Sequence, residues 1–347
     1  MRGIRLHAQG PRDYPVPLSA LAPEQALRRL ELHIVRRLEG FLHGEHLGLL
    51  PGSGSDLAEA RLYNPGEDDI RRMDWAVTAR TTVPHVRDVI ADRELETWSV
   101  VDLSPSMQFG TAAMEKRDLA VAAVATLGLL TFQLGDRFGG YVLRGGRLER
   151  WPARPGRQAL FALLRALIRD APPPARGARD LAADAAGQNP PQDLATSITT
   201  LARAQRKRGL RVVVSDFIGQ ADAAGDVDTP TSWVGPMREL SLRNQTIAVE
   251  VMDPRELDIP DVGVILLRDP ESGEVRELNT GDRRVRSRYS AAARLQRERN
   301  RRSMRRAGVA HLVLRTDRDW VRDTARFALR HRRAAARLHT PPAGIAR

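Results

Sequence analysis

The stretch WSVVDLSPSM, residues 98–107, carries the strongest fold signal in the chain. An apolar, β-branched run that ends in Asp102 is typical of a buried strand, and hydroxyls follow at Ser104 and Ser106. Such oxygens are hard ligands of the kind that Mg²⁺ takes in octahedral geometry. A second run, RVVVSD at residues 211–216, ends in Asp216. Because parallel strands present their carboxyl ends at one crevice, we predict a divalent cation, Mg²⁺ or Mn²⁺, held by these four residues.

Asp102 also has a structural interpretation. A carboxylate and hydroxyls in a tight turn can bind the backbone N–H groups of that turn, with no metal involved. Both interpretations stay open at the level of the sequence.

Hydrophobic periodicity alternates between strands and helices along most of the chain. Strands are predicted at 96–102, 138–144, 148–151, 210–216, 246–252, 262–267 and 309–316. Helices are predicted at 113–134, 157–169, 193–206, 283–307 and 318–337. Gly145-Gly146 is expected to close a hairpin between the second and third strands. This pattern predicts an α/β fold of five or six mostly parallel strands flanked by helices.

Two further parts of the chain lie before the sheet. A helix is predicted over 23–43, and 61–96 is polar and rich in turn residues. We therefore predict an N-terminal segment, 1–95, packed on an α/β domain, 96–337. Residues 171–191 are predicted to be a flexible insert, and 338–347 a disordered tail.

Composition restricts the class of protein. The 347 residues are 42% hydrophobic and 28% charged, and cysteine is absent, which excludes disulfides, thiolate metal sites and a catalytic thiol. The beginning of the chain lacks the apolar core of a secretory signal. Residues 119–134 are apolar but shorter than the ~20 residues that cross a bilayer, so we predict a buried helix. We expect a cytoplasmic protein without a transmembrane segment.

The net charge of +12 is concentrated at the carboxyl end. Residues 281–347 hold 20 Arg and 5 acidic residues, a net charge of +15. Such a stretch can bind nucleic acid or an acidic surface. Few aromatic residues interleave with these arginines, and no nucleic-acid motif is present, so we do not expect nucleic acid as the partner.

The stretch RLYNPGEDDIRRMDWAVTAR, residues 61–80, resembles the signature of the DUF58 family, as do PHVRD (84–88) and RELE (93–96) that follow it. The turn DLSPSM and Asp216 resemble the metal-ion-dependent adhesion site of von Willebrand factor A-type domains. The resemblance implies a von Willebrand A-like, Rossmann-like sheet. It also implies association with a MoxR-type AAA+ ATPase, in a system that assembles or activates other proteins.

The resemblance assigns roles to the candidate ligands and exposes one departure. It implies that Ser104 and Ser106 bind the cation directly, while Asp102 and Asp216 act through waters. The third direct ligand in the A-domain pattern is a threonine, but Gln192 stands at that position. An amide oxygen can ligate Mg²⁺, although with a longer side chain. Thr196 lies one helical turn later and substitutes only if the loop is shifted.

The block before the first sheet strand has two interpretations. Its polar and aromatic members, Arg61, Tyr63, Asp74, Trp75 and Arg80, form either an ion network that holds the segment on the sheet or a docking surface. In the second case Trp75 is the aromatic anchor.

No catalytic motif is present: the sequence lacks a P-loop, a G-x-S-x-G elbow and an H-E-x-x-H helix. A phosphatase-like use of Asp102 as nucleophile needs a second Asp where Ser104 stands. We therefore predict a non-enzymatic interaction module that binds a cation and docks a partner through the partner's exposed Asp or Glu. The alternatives are a metal-free scaffold that contacts the same ATPase through 61–94 and, ranked lower, a metal-dependent hydrolase.

Overall fold

The computed structural model of the chain describes residues 21–41, 60–63, 70, 73–87, 96–112, 114–131, 136–168, 192–218, 231–268 and 274–339. The α-helices are α1 (Pro23–Phe41), α2 (Trp75–Thr81), α3 (Lys116–Thr131), α4 (Arg157–Ile168), α5 (Leu194–Ala204), α6 (Val234–Arg243), α7 (Arg283–Ala307) and α8 (Trp320–His339). The strands are β1 (Ala60–Leu62), β2 (His85–Arg87), β3 (Glu96–Asp102), β4 (Arg137–Arg144), β5 (Arg147–Pro155), β6 (Leu210–Ser215), β7 (Gln245–Met252), β8 (Val264–Arg268), β9 (Val275–Asn279) and β10 (Ala310–Arg315). Short 3₁₀ turns at Pro105–Gln108 and Pro254–Glu256 follow β3 and β7.

Six strands form the central sheet, in the order β10-β7-β6-β3-β4-β5. Neighbouring strands are parallel except β5, which returns antiparallel from β4 through Gly145 and Gly146, both in the left-handed region. The strands β6 and β7 are apolar and buried almost throughout, which is typical of a sheet covered on both faces. The predicted α/β architecture, a mostly parallel sheet of five or six strands flanked by helices, is confirmed.

Alternate residues of the strands supply two apolar layers. On one face Val101, Val212 and Val214 pack with α1, α3, α4 and α8. On the other face Val100 and Val213 pack with α5, α6 and the end of α7. Helix α3 is buried along most of its length, as we expect for the apolar stretch 119–134. Within the described ranges, no helix has the length and apolar character to cross a membrane.

The apolar strand predicted at 262–267 lies outside the central sheet. It is β8, which pairs antiparallel with β9, a strand that the sequence pattern did not predict. The connection between β8 and β9 is too short for the crossover that parallel neighbours need, so the two strands form a hairpin. Their side chains are mostly exposed.

The N-terminal segment contributes α1 and a small unit. Helix α1 packs against α4 and α8 through Leu27, Leu30 and Ile34. In the chain, α2 lies between β1 and β2, and these two strands pair antiparallel with each other. Helix α8 runs to His339, two residues past the predicted end of the domain. The predicted insert, 171–191, and residues 340–347 of the predicted tail lie outside the described residues. The division into domains stays a prediction.

Candidate functional site

Asp102 and the hydroxyls after it lie at the carboxyl edge of the sheet, where β3 ends. One oxygen of Asp102, Oδ1, accepts a hydrogen bond from the backbone N–H of Ser104 at 2.9 Å, which closes a tight turn. The hydroxyl oxygens of Ser104 and Ser106 are 3.1 Å apart and bond to each other. Asp102 is buried, whereas both serines are half-buried. The turn therefore presents two adjacent hydroxyls beside a buried carboxylate.

Asp216 reaches the same edge from β6, the neighbour of β3. Ser215, at the end of β6, donates from its hydroxyl to Asp102 Oδ2 at 2.7 Å and so links the two strand ends. The next residues form a turn in which Phe217 has a φ of +54°, a left-handed conformation that is rare for a bulky side chain. This turn lets the backbone N–H of Ile218 donate to Asp216 Oδ1 at 3.1 Å. The two acidic residues predicted to share one crevice do lie together.

Negative charge at this edge is only partly balanced. Burial, reinforced by the charge of Asp216, raises the pKa of Asp102 to about 6, although hydrogen bonds from Ser215 and Ser104 oppose the rise. A further positive charge beside Asp102 would stabilise the ionised form of its carboxylate.

The chain itself supplies a cation at this edge, Lys116, which the sequence did not predict. Lys116, at the start of α3, is 1% exposed and donates from Nζ to Asp216 Oδ2 at 2.8 Å and to Glu256 Oε1. Burial lowers the pKa of Lys116, but the carboxylates of Asp216 and Glu256 outweigh burial and the net shift is upward. Burial raises the pKa of Glu256, and the ammonium opposes that rise. The amino-acid composition gave one indication that Lys116 is special, because Lys116 and Lys207 are the only lysines among the 55 Lys and Arg residues.

Asp253, which is fully buried, holds Glu256 in place. Its carboxylate accepts from the backbone N–H of Arg255 at 2.9 Å, and Glu256 in return accepts from the backbone N–H of Asp253. Asp253 also accepts from Thr111 N and from Thr316 Oγ1, each at 2.8 Å. This acidic residue therefore joins the ends of β7 and β10 to the loop before α3, and it positions the partner of Lys116.

Gln192 occupies the position of the expected threonine, and its backbone is hydrogen-bonded at the carboxyl edge of the sheet. Its N–H donates to the carbonyl of Gly146, in the turn after β4, at 2.8 Å. Strand β4 is the neighbour of β3 on the side away from β6. Asp193 caps α5 by accepting from the N–H of Thr196 at 2.7 Å, and the side chain of Thr196 is exposed. The predicted ligand Gln192 is half-buried, and its backbone lies at the carboxyl end of β4, the strand next to β3.

These groups fit a divalent cation in part. Suitable metal ligands are the adjacent hydroxyls of Ser104 and Ser106 and the carboxylate of Asp102, whose negative charge is only partly balanced. Asp216 fits less well than Asp102, since one of its oxygens accepts a hydrogen bond from the ammonium of Lys116, which already balances its charge. Within the described residues, no three Asp, Glu, His or Cys side chains are grouped to hold a metal. Any cation here depends on hydroxyl and water ligands.

The block at 61–80 has mixed roles. Asp74 is buried and caps α2, accepting from the N–H of Ala76 at 3.0 Å and of Val77 at 3.1 Å. Arg80 is exposed and donates to the carbonyl of Ala76 at 3.3 Å. Trp75 is 69% exposed, so it contributes little to packing within the described chain.

Two other members of the predicted network are described less fully. Tyr63 is half-buried, and its N–H donates to the carbonyl of Pro84 at 2.9 Å. The side chain of Arg61 lies outside the described part of the structure. The capping role of Asp74 is structural, whereas the exposure of Trp75 suits a docking anchor.

One family model matches the chain, and two curated relatives are similar over most of their length. The model of the family described as "Protein of unknown function DUF58" matches residues 59–299. Uncharacterized protein Rv1480 of Mycobacterium tuberculosis is 48% identical over 316 residues, which are 90% of this chain and 91% of that protein. Uncharacterized protein Mb1516 of Mycobacterium bovis is similar to the same extent, 48% over 316 residues, with the same coverage of 90% and 91%.

Solved structures are more remote. The conserved hypothetical protein BatB from Bacteroides thetaiotaomicron is similar with a TM-score of 0.38 and 13% identity, over 70% of this chain and 99% of that one. A von Willebrand factor type A structure from Catenulispora acidiphila has a TM-score of 0.31 and 11% identity, over 72% of this chain and 43% of that one. Likeness at this level carries no conclusion about function.

Proposed function

The chain belongs to the DUF58 family, and we propose that it is a cytoplasmic, non-enzymatic protein-interaction module with a cation site at the carboxyl edge of its sheet. The observation that carries the proposal is the meeting of Asp102, Ser104, Ser106 and Asp216 at that edge, with negative charge in excess of the one ammonium present. Mg²⁺ or Mn²⁺ would supply an open coordination position for a carboxylate of the partner.

The residues of the proposed site have separate roles, in binding the cation and in orienting the groups that bind it. Ser104 and Ser106 offer direct ligands, and Asp102 orients their turn through the N–H of Ser104. Ser215 holds Asp102, so that the carboxylate cannot rotate away from the edge. Gln192 is the fifth candidate ligand. None of these groups needs a proton-transfer role, which is why we propose binding rather than catalysis.

The partner that we propose is a MoxR-type AAA+ ATPase, on the strength of family resemblance. A module with an exposed edge and no nucleotide-binding motif would depend on such an ATPase for ATP-driven work. The client of this system is not defined by the site.

A magnesium titration by calorimetry tests the cation site. We expect saturable binding to the wild type and binding at least about tenfold weaker for Ser104→Ala/Ser106→Ala. The matched control is Ser287→Ala/Ser290→Ala, which removes two hydroxyls from α7 and should leave the affinity unchanged. Equal binding by the two double variants, or none by the wild type, would refute the cation site.

The second candidate function is a metal-free scaffold, and Lys116 favours it. The ammonium already holds Asp216, so the edge can be a structural ion cluster. In that case the exposed Trp75 makes the contact with the ATPase. A complex of the two purified proteins that resists chelator but is lost in Trp75→Ala supports the scaffold. A complex that chelator dissociates supports the cation site.

A further inference from the structure

Strand β10 is an open edge of the central sheet. Its six residues pair in parallel with β7, from Ala310 opposite Ile247 to Arg315 opposite Met252. It stands last in the strand order, and in the part of the chain that the structure describes no strand pairs with its outer side. A free strand edge presents backbone N–H and C=O groups that another extended chain can pair with.

A cavity of about 610 Å³ lies along this edge, between β10, α7 and α8. Its lining is strongly basic: five arginines and a histidine face one acidic residue, Asp323. The five arginines are Arg297, Arg315, Arg318, Arg326 and Arg330. A cavity with this charge selects an anionic occupant.

Among the described residues, four of these arginines make no ion pair, although Asp323 lines the same cavity. Arg315 forms a bidentate ion pair with Asp317, in which Nε donates to Oδ1 at 2.8 Å and Nη2 donates to Oδ2 at 2.7 Å. The side chains of Arg297, Arg318, Arg326 and Arg330 make no hydrogen bond or ion pair within the described ranges. Arg318, Arg326 and Arg330 are exposed. Because these guanidinium groups are not engaged within the described chain, they are available to a ligand. Guanidinium groups bind carboxylates through paired hydrogen bonds, so acidic side chains are suitable ligands.

The apolar part of the lining favours a peptide over a nucleic acid. Leu312, Val313, Phe327 and Leu329 also line the cavity. Phe327 is 8% exposed, so it offers no open ring for a base to stack on. A strand instead presents side chains to alternate faces, about 6.6 Å apart on each face, so one face can carry acids and the other apolar groups.

We propose that the outer edge of β10 and the four free arginines form a docking site for an extended acidic peptide segment of a partner protein. The segment adds to the sheet as a seventh strand beside β10. Its backbone pairs with the strand edge, and its acidic side chains meet Arg318, Arg326 and Arg330. This mode gives affinity through the main chain and selectivity through alternate side chains. The site does not depend on the cation proposed above, because β6 and β7 separate it from β3.

Fluorescence anisotropy with a labelled peptide tests the proposal. The probe alternates glutamate and valine and is about ten residues long, enough to cover β10. We expect Arg318→Gln/Arg326→Gln/Arg330→Gln to weaken binding at least about tenfold. The matched control, Arg284→Gln/Arg301→Gln/Arg305→Gln, removes the same charge from exposed positions of α7 outside the cavity and should weaken binding about twofold or less. Equal losses in the two triple variants, or no binding by the wild type, would overturn the site.

A second probe tests strand addition on the wild type alone, so it does not depend on how a variant folds. The same peptide with every backbone amide N-methylated keeps its charge but has no backbone N–H to donate along either edge of a strand. We expect it to bind at least about tenfold more weakly. Equal binding of the two peptides would overturn strand pairing. Tighter binding of inorganic polyphosphate or single-stranded DNA than of the peptide, abolished by the cavity triple variant, would overturn the peptide assignment.

Discussion

Replacing Lys116 by methionine keeps much of the side-chain volume but removes the ammonium that Asp216 and Glu256 share. The side chains of Lys116 and Asp216 are 1% and 2% exposed, so water cannot replace the lost charge. Breaking a buried ion pair by removing one partner costs about 3–5 kcal/mol, because the other charge stays buried. We expect the free energy of unfolding to fall by this amount.

Urea unfolding at neutral pH measures the effect. Lys207→Met is the matched control, because Lys207 is the other lysine and is exposed; it should change the stability by less than about 0.5 kcal/mol. Adding Asp216→Asn to Lys116→Met removes one of the two stranded carboxylates. We expect a coupling energy of about 2 kcal/mol between the two positions.

Magnesium makes the same experiment informative about function. If a cation can occupy this edge, Mg²⁺ should stabilise Lys116→Met more than the wild type, since the competing ammonium is gone. A loss below about 1 kcal/mol for Lys116→Met would contradict the buried ion cluster described here. The same stabilisation by Mg²⁺ in both proteins would show that Lys116 does not compete with a cation.

Three other predictions concern single side chains. Asp74→Ala removes the cap of α2 and should cost ~1 kcal/mol in urea unfolding, with Asp74→Ser close to the wild type; equal losses would contradict the capping role. Trp75→Ala should leave stability within about 0.5 kcal/mol but weaken binding of the ATPase, and a large drop in melting temperature would show that Trp75 is structural. Burial lowers the pKa of His331 below its ordinary 6.5, so the unfolded chain binds more protons and stability falls as the pH drops through that value. His331→Gln should flatten the fall in melting temperature from about pH 7 to pH 5, and an unchanged slope would refute this.

Local pattern determined most of the elements and the turn at the centre of the site. Strand β3 spans Glu96–Asp102 as predicted, and α7 spans Arg283–Ala307, because alternation and helical periodicity are properties of neighbouring residues. The hydrogen bond from Ser104 N to Asp102 closes within two residues, so the sequence could predict it. The convergence of Asp102 and Asp216 followed from a rule about parallel strands.

Tertiary structure decided which charges meet and which edges stay open. Lys116 lies 100 residues from Asp216 and 140 from Glu256, and no local pattern relates residues that far apart. Their meeting depends on α3 starting beside the ends of β6 and β7. The hairpin of β8 and the free side of β10 likewise follow from which strand lies next to which. Periodicity shows that a segment is a strand, but pairing depends on long-range packing, which single-segment patterns do not contain.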